Sequence, residues 1–259
     1  MNRIGAVRVE RAGPVAWCTL DRPPLNLLNP AVIGDLRAAF EALTADRAVR
    51  VAILTASGRA FTAGMDVRVL RGLDGPGARA LITTLHEAIA TVHHARFPVI
   101  AAINGPCLGA GFELALACDL RVAATTASFG LPEVRVGVPS VIEAALLPGL
   151  VGPGRAAELL LTGDALGAER ALEWGLVNQV VEPGGLRAAA EGLAERILAA
   201  GPEAIRLQKE LMLRWRYSDL AAAIQHGVNA FAAAYATGEP AEGATAFLEK
   251  RAPKFEGAS

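Results

Sequence analysis

Aromatic residues are scarce in this 259-residue chain, at 5%, and so are cysteines, with only Cys18, Cys107 and Cys118. An odd number of cysteines, without CxxC spacing or a partnering histidine, argues against a disulfide framework and against a zinc site. Small buried hydrophobes are their expected role. An excess of one charge is missing too. Lys+Arg 25 against Asp+Glu 26 leaves a formal net charge of -1, so the chain has no broad cationic field of the kind that binding nucleic acid or an anionic membrane needs. Any anionic ligand must be met by local charges. The opening MNRIGAVRVERAG lacks the continuous apolar run of a secretory signal, which makes a cytoplasmic location the expectation.

Aliphatic residues are what the chain has in plenty. Hydrophobic residues reach 53% and charged residues only 20%, which excludes disorder and collagen-like repeats and supplies a substantial core. The length fits one large domain, or one domain with a small appendage. Residues 98–120, PVIAAINGPCLGAGFELALACDL, are apolar and long enough to span a bilayer. They also carry Asn104, Gly105, Pro106, Gly109, Gly111, Glu113 and Asp119, which would put backbone breaks and an unpaired carboxylate into hydrocarbon. A buried strand, turn and helix is the better reading.

Along the chain, strand-like runs alternate with helical ones. VRVER and VAWCTLD flank Gly13-Pro14 as a hairpin, residues 30–46 have amphipathic helical spacing, and residues 49–56 read as a buried strand. A glycine-containing loop over 58–66, a helix from Gly75, the strand PVIAAING, a short helix over 108–118 and the strand DLRVAA follow. From about Ser140 the pattern is mostly helical. Strands with helical crossovers and a helical tail predict an α/β fold.

Three segments concentrate chemistry. GRAFTAGMDVR, residues 58–68, is either a plain strand-to-helix turn or a functional loop whose N–H groups need partners. NGPCLGAGFE, residues 104–113, leaves a strand and enters a helix whose first N–H groups are free to receive an anion. FGLPEVRVGVPS, residues 129–140, places Glu133 after a proline in an apolar stretch. Glu113 reads either as a surface residue of a short helix or as catalytic, and Glu133 either as a solvated turn residue or as catalytic. A dinucleotide fingerprint at Gly109-Ala110-Gly111 is rejected, because its third glycine would fall on Leu114.

FTAGMDV, NGPCLGAGFELALACDLRVA and FGLPEVRVG, in this order, with RPPLNLLN near the start and AFLEKRAPKF at the end, resemble the enoyl-CoA hydratase/isomerase (crotonase) superfamily over nearly the whole chain. The resemblance implies a crotonase-like spiral of ββα units over 1–195 and a helical C-terminal trimerisation region over 196–259, assembled as a homotrimer or dimer of trimers. It also implies an acyl-CoA substrate, in which coenzyme A is part of the substrate rather than a cofactor, with no metal. The oxyanion-hole N–H groups fall on Met65 and Ala110, and the two catalytic glutamates on Glu113 and Glu133. In the assignment adopted, Glu113 activates water and Glu133 protonates carbon. Coenzyme A contacts fall on Leu25, Met65, Asp66, Val67, Arg68 and Ala110, and on Phe231 and Lys250 from a neighbouring subunit. Arg68 and Lys250 are the residues expected to meet phosphates.

Hydration of a 2-enoyl-CoA, as in fatty-acid β-oxidation, is the activity the retained glutamate pair favours. Double-bond isomerisation, another acyl-CoA lyase reaction and a catalytically silent binding subunit are the alternatives. Two departures bear on substrate choice. Met65 replaces the usual small residue, and VGVPSVIEAALL replaces a glycine-rich stretch with one residue fewer. Within it, Ser140 and Glu143 read as a helix capping box, and the rival reading makes Glu143 a third carboxylate near the acyl chain. His86, His93, His94 and His226 read as surface or core histidines.

Overall fold

The computed structural model describes residues 2–255; Met1 and the last four positions of the 196–259 segment lie outside them. In chain order the strands are β1 (Asn2–Ile4), β2 (Val7–Ala12), β3 (Val15–Leu20), β4 (Val51–Ala56), β5 (Val99–Ile103), β6 (Cys107–Leu108), β7 (Leu120–Ala124), β8 (Ser128–Gly130), β9 (Ala165–Gly167) and β10 (Gln179–Val181). The helices are α1 (Pro30–Ala45), α2 (Val67–Leu70), α3 (Gly75–His93), α4 (Ala110–Ala117), α5 (Leu147–Val151), α6 (Pro153–Thr162), α7 (Ala168–Glu173), α8 (Leu186–Leu198), α9 (Pro202–Trp215), α10 (Leu220–Ala234) and α11 (Glu239–Leu248). Residues 195 and 196 both lie in α8.

The main sheet runs β1-β2-β3-β4-β5-β7-β10, antiparallel up to β3 and parallel from there on, and β6-β8-β9 form a second, small sheet. Period-2 alternation explains its two coats. Val51, Ile53, Ile100, Ala102 and Val122 point to one face, where Leu186, Ala190 and Leu193 of α8 cover them. Ala52, Leu54, Val99, Ala101 and Ile103 point to the other, under α1, α3 and α4. With both faces covered, these strands are continuously apolar. α1 starts where Asn29 Oδ1 accepts from Val32 N at 3.0 Å with Pro30 in the first turn, and it buries Val32, Ile33, Leu36, Phe40 and Leu43. α3 starts in the same way at Asp74 and buries Leu81, Leu85, Ile89 and Val92.

Among the described residues, no helix is long and apolar enough to cross a membrane; residues 98–120 become β5, β6, α4 and the start of β7. The three thiols are free and buried, and burial pushes Cys18 and Cys118 up to about 12, so they pack as neutral groups. The segment after Ser140 opens with a 3-10 turn, Glu143–Leu146, and the tail also includes the short strands β9 and β10.

Candidate active site

Two loops meet at the carboxyl ends of β4 and β5. Thr62 N donates to Pro106 O at 3.2 Å and Leu108 N to Thr62 O at 3.0 Å, stitching the 58–66 loop to the 104–109 loop. Gly64, at φ +86°, lies so close that a Cβ would meet Leu108 O at 2.8 Å. Only glycine permits both that conformation and that approach. The contact sets Gly64, the residue before Met65, against the start of α4, where a Gly64 Cβ would lie 3.6 Å from Ala110 N. Leu28 braces Met65 from the other side: Leu28 N donates to Gly64 O at 2.9 Å and Asp66 N to Leu28 O at 2.8 Å. Ala63 N donates to Leu25 O at 3.0 Å. Neither the Met65 N–H nor the Ala110 N–H meets an acceptor among the described residues, and the α4 dipole adds positive potential at the second.

The two glutamates flank the first turn of α4. Glu113 is buried within it, and its Oε1 accepts from Val141 N, Ile142 N and Ala144 N at 3.2, 3.2 and 3.1 Å. Burial raises its proton affinity to about 7; the N–H groups work against that, and the charges of Glu133 and Glu143 work with it. Glu133, in the 3-10 turn Pro132–Val136, lays its Oε1 over Gly109, where a Cβ would collide with it. Gly109 has φ +55°, so glycine is needed there on two counts. Ser140 Oγ donates to Glu133 Oε2 at 2.8 Å and fixes the carboxylate.

These contacts replace the expected capping box. Ile142, not Ser140, stands at the start of the Glu143–Leu146 turn, and no side chain of that turn caps it. Its free N–H groups are taken by Glu113 from another element, which releases Ser140 to Glu133 and Glu143 to His86, whose Nδ1 lies 2.7 Å from Glu143 Oε1. His86 is therefore paired with an acid brought close by the fold rather than by sequence spacing. His93, by contrast, is a core histidine whose Nδ1 lies 3.0 Å from Ala117 O.

The far end of α4 is anchored. Arg121, buried, donates to Ala115 O at 3.2 Å and Cys118 O at 2.7 Å at the carboxyl end of α4, and to Leu176 O at 2.7 Å in the segment between α7 and β10. The helix that carries Glu113 is thus held at both ends.

The enoyl-CoA hydratase/isomerase family model matches residues 10–258. The chain belongs to this family. It is 38% identical over 250 residues to the crotonyl-CoA hydratase of Syntrophomonas wolfei, covering 95% of this chain and 96% of that one. It is 35% identical over 254 residues to the short-chain-enoyl-CoA hydratase of Clostridium acetobutylicum, with 97% of each covered. The crystal structure of enoyl-CoA hydratase from Bacillus anthracis superposes with a TM-score of 0.93 at 36% identity, covering 98% of this chain and all of that one. The α/β architecture with its helical C-terminal region is the crotonase fold.

The other residues that family resemblance singles out fall into two groups. Leu25, Met65, Asp66, Val67 and Arg68 cluster at the mouth of the two loops. There Asp66 caps α2 by accepting from Arg68 N at 3.1 Å and forks onto the Arg68 guanidinium at 2.9 and 2.7 Å. That hydrogen-bonded guanidinium holds the Asp66 carboxyl down to about 2. Arg68 keeps its side chain 78% exposed beyond this pair. Phe231 on α10 and Lys250 after α11 are exposed and make no hydrogen bond or ion pair to the 65–68 segment among the described residues. Sequence reasoning missed Asn26, which sits at φ +50° and is buried. Its Nδ2 donates to Ser57 O at 2.7 Å and Ala60 O at 2.9 Å, so it holds the Leu25–Leu28 stretch on the loop that follows β4. Asparagine's tolerance of the left-handed region was the one available signal.

Proposed function

We infer that the protein is an enoyl-CoA hydratase, adding water across the 2,3 double bond of an acyl-CoA thioester. The observation that carries this reading is the pair of carboxylates, Glu113 and Glu133, bracketing the first turn of α4 beside two N–H groups without acceptors. In the proposed reaction the thioester oxygen sits between Met65 N and Ala110 N. One carboxylate takes a proton from water as the water oxygen bonds to C3 and the π electrons move to the thioester oxygen. The resulting enolate then returns its electrons to C2, which takes a proton from the other carboxylic acid. Backbone donors at a developing oxyanion are worth about 3 kcal/mol each to such a step. Glu113, with a proton affinity near neutrality and Oε1 occupied by three N–H groups, keeps Oε2 for water; Glu133, held by Ser140, is assigned the carbon.

Coenzyme A is proposed to bind along Leu25 and residues 65–68, with Arg68 at a phosphate, and to be met by Phe231 and Lys250 of a second subunit. The helical segment 196–259 is proposed as the oligomerisation region. In its support, Leu220, Ile224, Val228 and Phe231 form one exposed apolar face of α10. A homotrimer or dimer of trimers, a cytoplasmic location, a role in β-oxidation, and the absence of any metal or cofactor beyond the substrate's own coenzyme A complete the proposal.

The test is the fall in enoyl absorbance when the protein is added to crotonyl-CoA, abolished separately by Glu113→Gln and Glu133→Gln. An inactive wild type, or active glutamine variants, would overturn it. Light scattering of the purified protein reads the oligomer.

A further inference from the structure

Glu143 is a buried acid next to Glu113 that the proposed reaction does not use. Its side chain is 7% exposed. Oε1 faces His86 Nδ1 at 2.7 Å, and Oε2 is buried with no partner among the described residues. A buried acceptor left unmatched is unfavourable and calls for a reason. The location supplies one. Glu143 stands between Ile142 and Ala144, two of the three residues whose N–H groups hold Glu113 Oε1. His86 sits on α3, whose Leu85 and Ile89 are locked in the core, while its own side chain is 55% exposed. The Glu143 side chain therefore hooks the turn that cradles Glu113 to a helix anchored in the core, and it sets a second buried carboxyl beside the first.

We propose that His86 and Glu143 are positioning residues for the hydration reaction, fixing the 141–144 turn that orients Glu113 and imposing on Glu113 the charge environment it works in. The proposal rests on the assignment of Glu113 as a reacting carboxylate. The groups facing Glu113 are Glu133 and Glu143, and the group facing Glu143 is His86, which His94 also senses. Glu143 acts on Glu113 in the direction of a higher proton affinity, so neutralising it relaxes Glu113 toward an ordinary carboxyl.

The experiment uses the full chain and has one arm independent of turnover. Thermal unfolding is compared between protein with Glu113 and with Glu113→Gln from pH 4 to 9. The gap between them widens until the buried Glu113 is fully ionised and then levels off. In a Glu143→Gln background, which keeps an acceptor for His86 and removes the charge, the levelling point should move down by about half a pH unit or more. His86→Ala should move it the same way, and the double variant should add nothing. In the second arm, Glu143→Ala should lower kcat on crotonyl-CoA by about tenfold or more with KM within about twofold, and Glu143→Gln, which keeps the hook to His86 but not the charge, should recover only part of that loss and shift the kcat pH profile downward. An unmoved levelling point, additive His86 and Glu143 effects, or a loss confined to KM would overturn the proposal. If the wild type is inactive on crotonyl-CoA, the hydratase reading fails while the unfolding arm still decides whether the pair governs Glu113.

Discussion

Replacing Glu113 with glutamine should destroy activity and stabilise the fold, and the stabilisation should depend on pH in a defined way. The folded protein holds the Glu113 proton up to about pH 7, whereas an unperturbed carboxyl releases it at 4.5. Below 4.5 both states are protonated and ionisation contributes nothing. Between 4.5 and 7 the unfolded chain has lost the proton and the folded protein keeps it, so the folded state binds more protons and stability falls as pH rises. Above 7 the folded protein carries the full burden of a buried charge. At about 1.4 kcal/mol per tenfold change, the span amounts to roughly 3 kcal/mol. Glutamine never ionises, and its amide oxygen can still accept from Val141, Ile142 and Ala144. The variant should therefore match the wild type near pH 4.5 and exceed it by on the order of 5–10 °C in Tm at pH 8, for a chain of this size at fixed protomer concentration. Paired calorimetric scans at half-unit pH steps are the assay. A Tm difference constant across the range, or a variant less stable at every pH, would refute the picture of Glu113 as a carboxylate held against its own desolvation.

Other outcomes follow from the same geometry. If Glu113 is the base, kcat/KM for crotonyl-CoA should climb with pH through about 7, because only the ionised form accepts a proton; a profile that falls with pH there would assign Glu113 as the acid instead. Ser140→Ala removes the single hydrogen bond on Glu133 Oε2 and should lower kcat about threefold to tenfold with little change in Tm, read by steady-state kinetics and a melt. Gly64→Ala forces a Cβ against Leu108 O at a strained φ and should separate the two oxyanion donors, costing about a hundredfold or more in kcat; retention of full activity would place the oxyanion elsewhere. Arg121→Leu leaves the buried Cys118 and Leu176 carbonyls without a donor, while Ala115 O keeps Cys118 N at 3.3 Å, and should lower unfolding free energy by about 2 kcal/mol or more in a denaturant titration.

The central strands and the helices α1 and α3 were legible because their signals are local. Val51–Ala56 and Val99–Ile103 are unbroken apolar runs, and Pro30 and Gly75 follow side chains that cap. The two-residue and three-residue strands β6, β8 and β9 carry no period to read; they form through pairing between segments distant in sequence, β6 with β8, where Gly109 N donates to Gly130 O at 2.9 Å, and β8 with β9. The glutamates, the paired glycines and the helix start could be picked out from motif order, but their partners could not. Ser140 and Glu143 have the right spacing for a cap and fail as one because Glu113, distant in sequence, already satisfies the N–H groups of that turn. The His86 contact spans 57 residues and has no sequence signature at all.

The turn over 141–144 is hydrogen-bonded to Glu113, so the stretch in which VGVPSVIEAALL stands where the family resemblance leads one to expect glycines is also what holds the carboxylate proposed to react. A residue inserted there, or a glycine restored, should alter the hydrogen bonds held by Glu113 and with them the proton affinity of the carboxylate proposed to activate water. On the proposed mechanism, substrate range and reactivity are coupled through this loop. An engineer who wishes to widen the first must expect to retune the second, and should screen loop variants at several pH values rather than one.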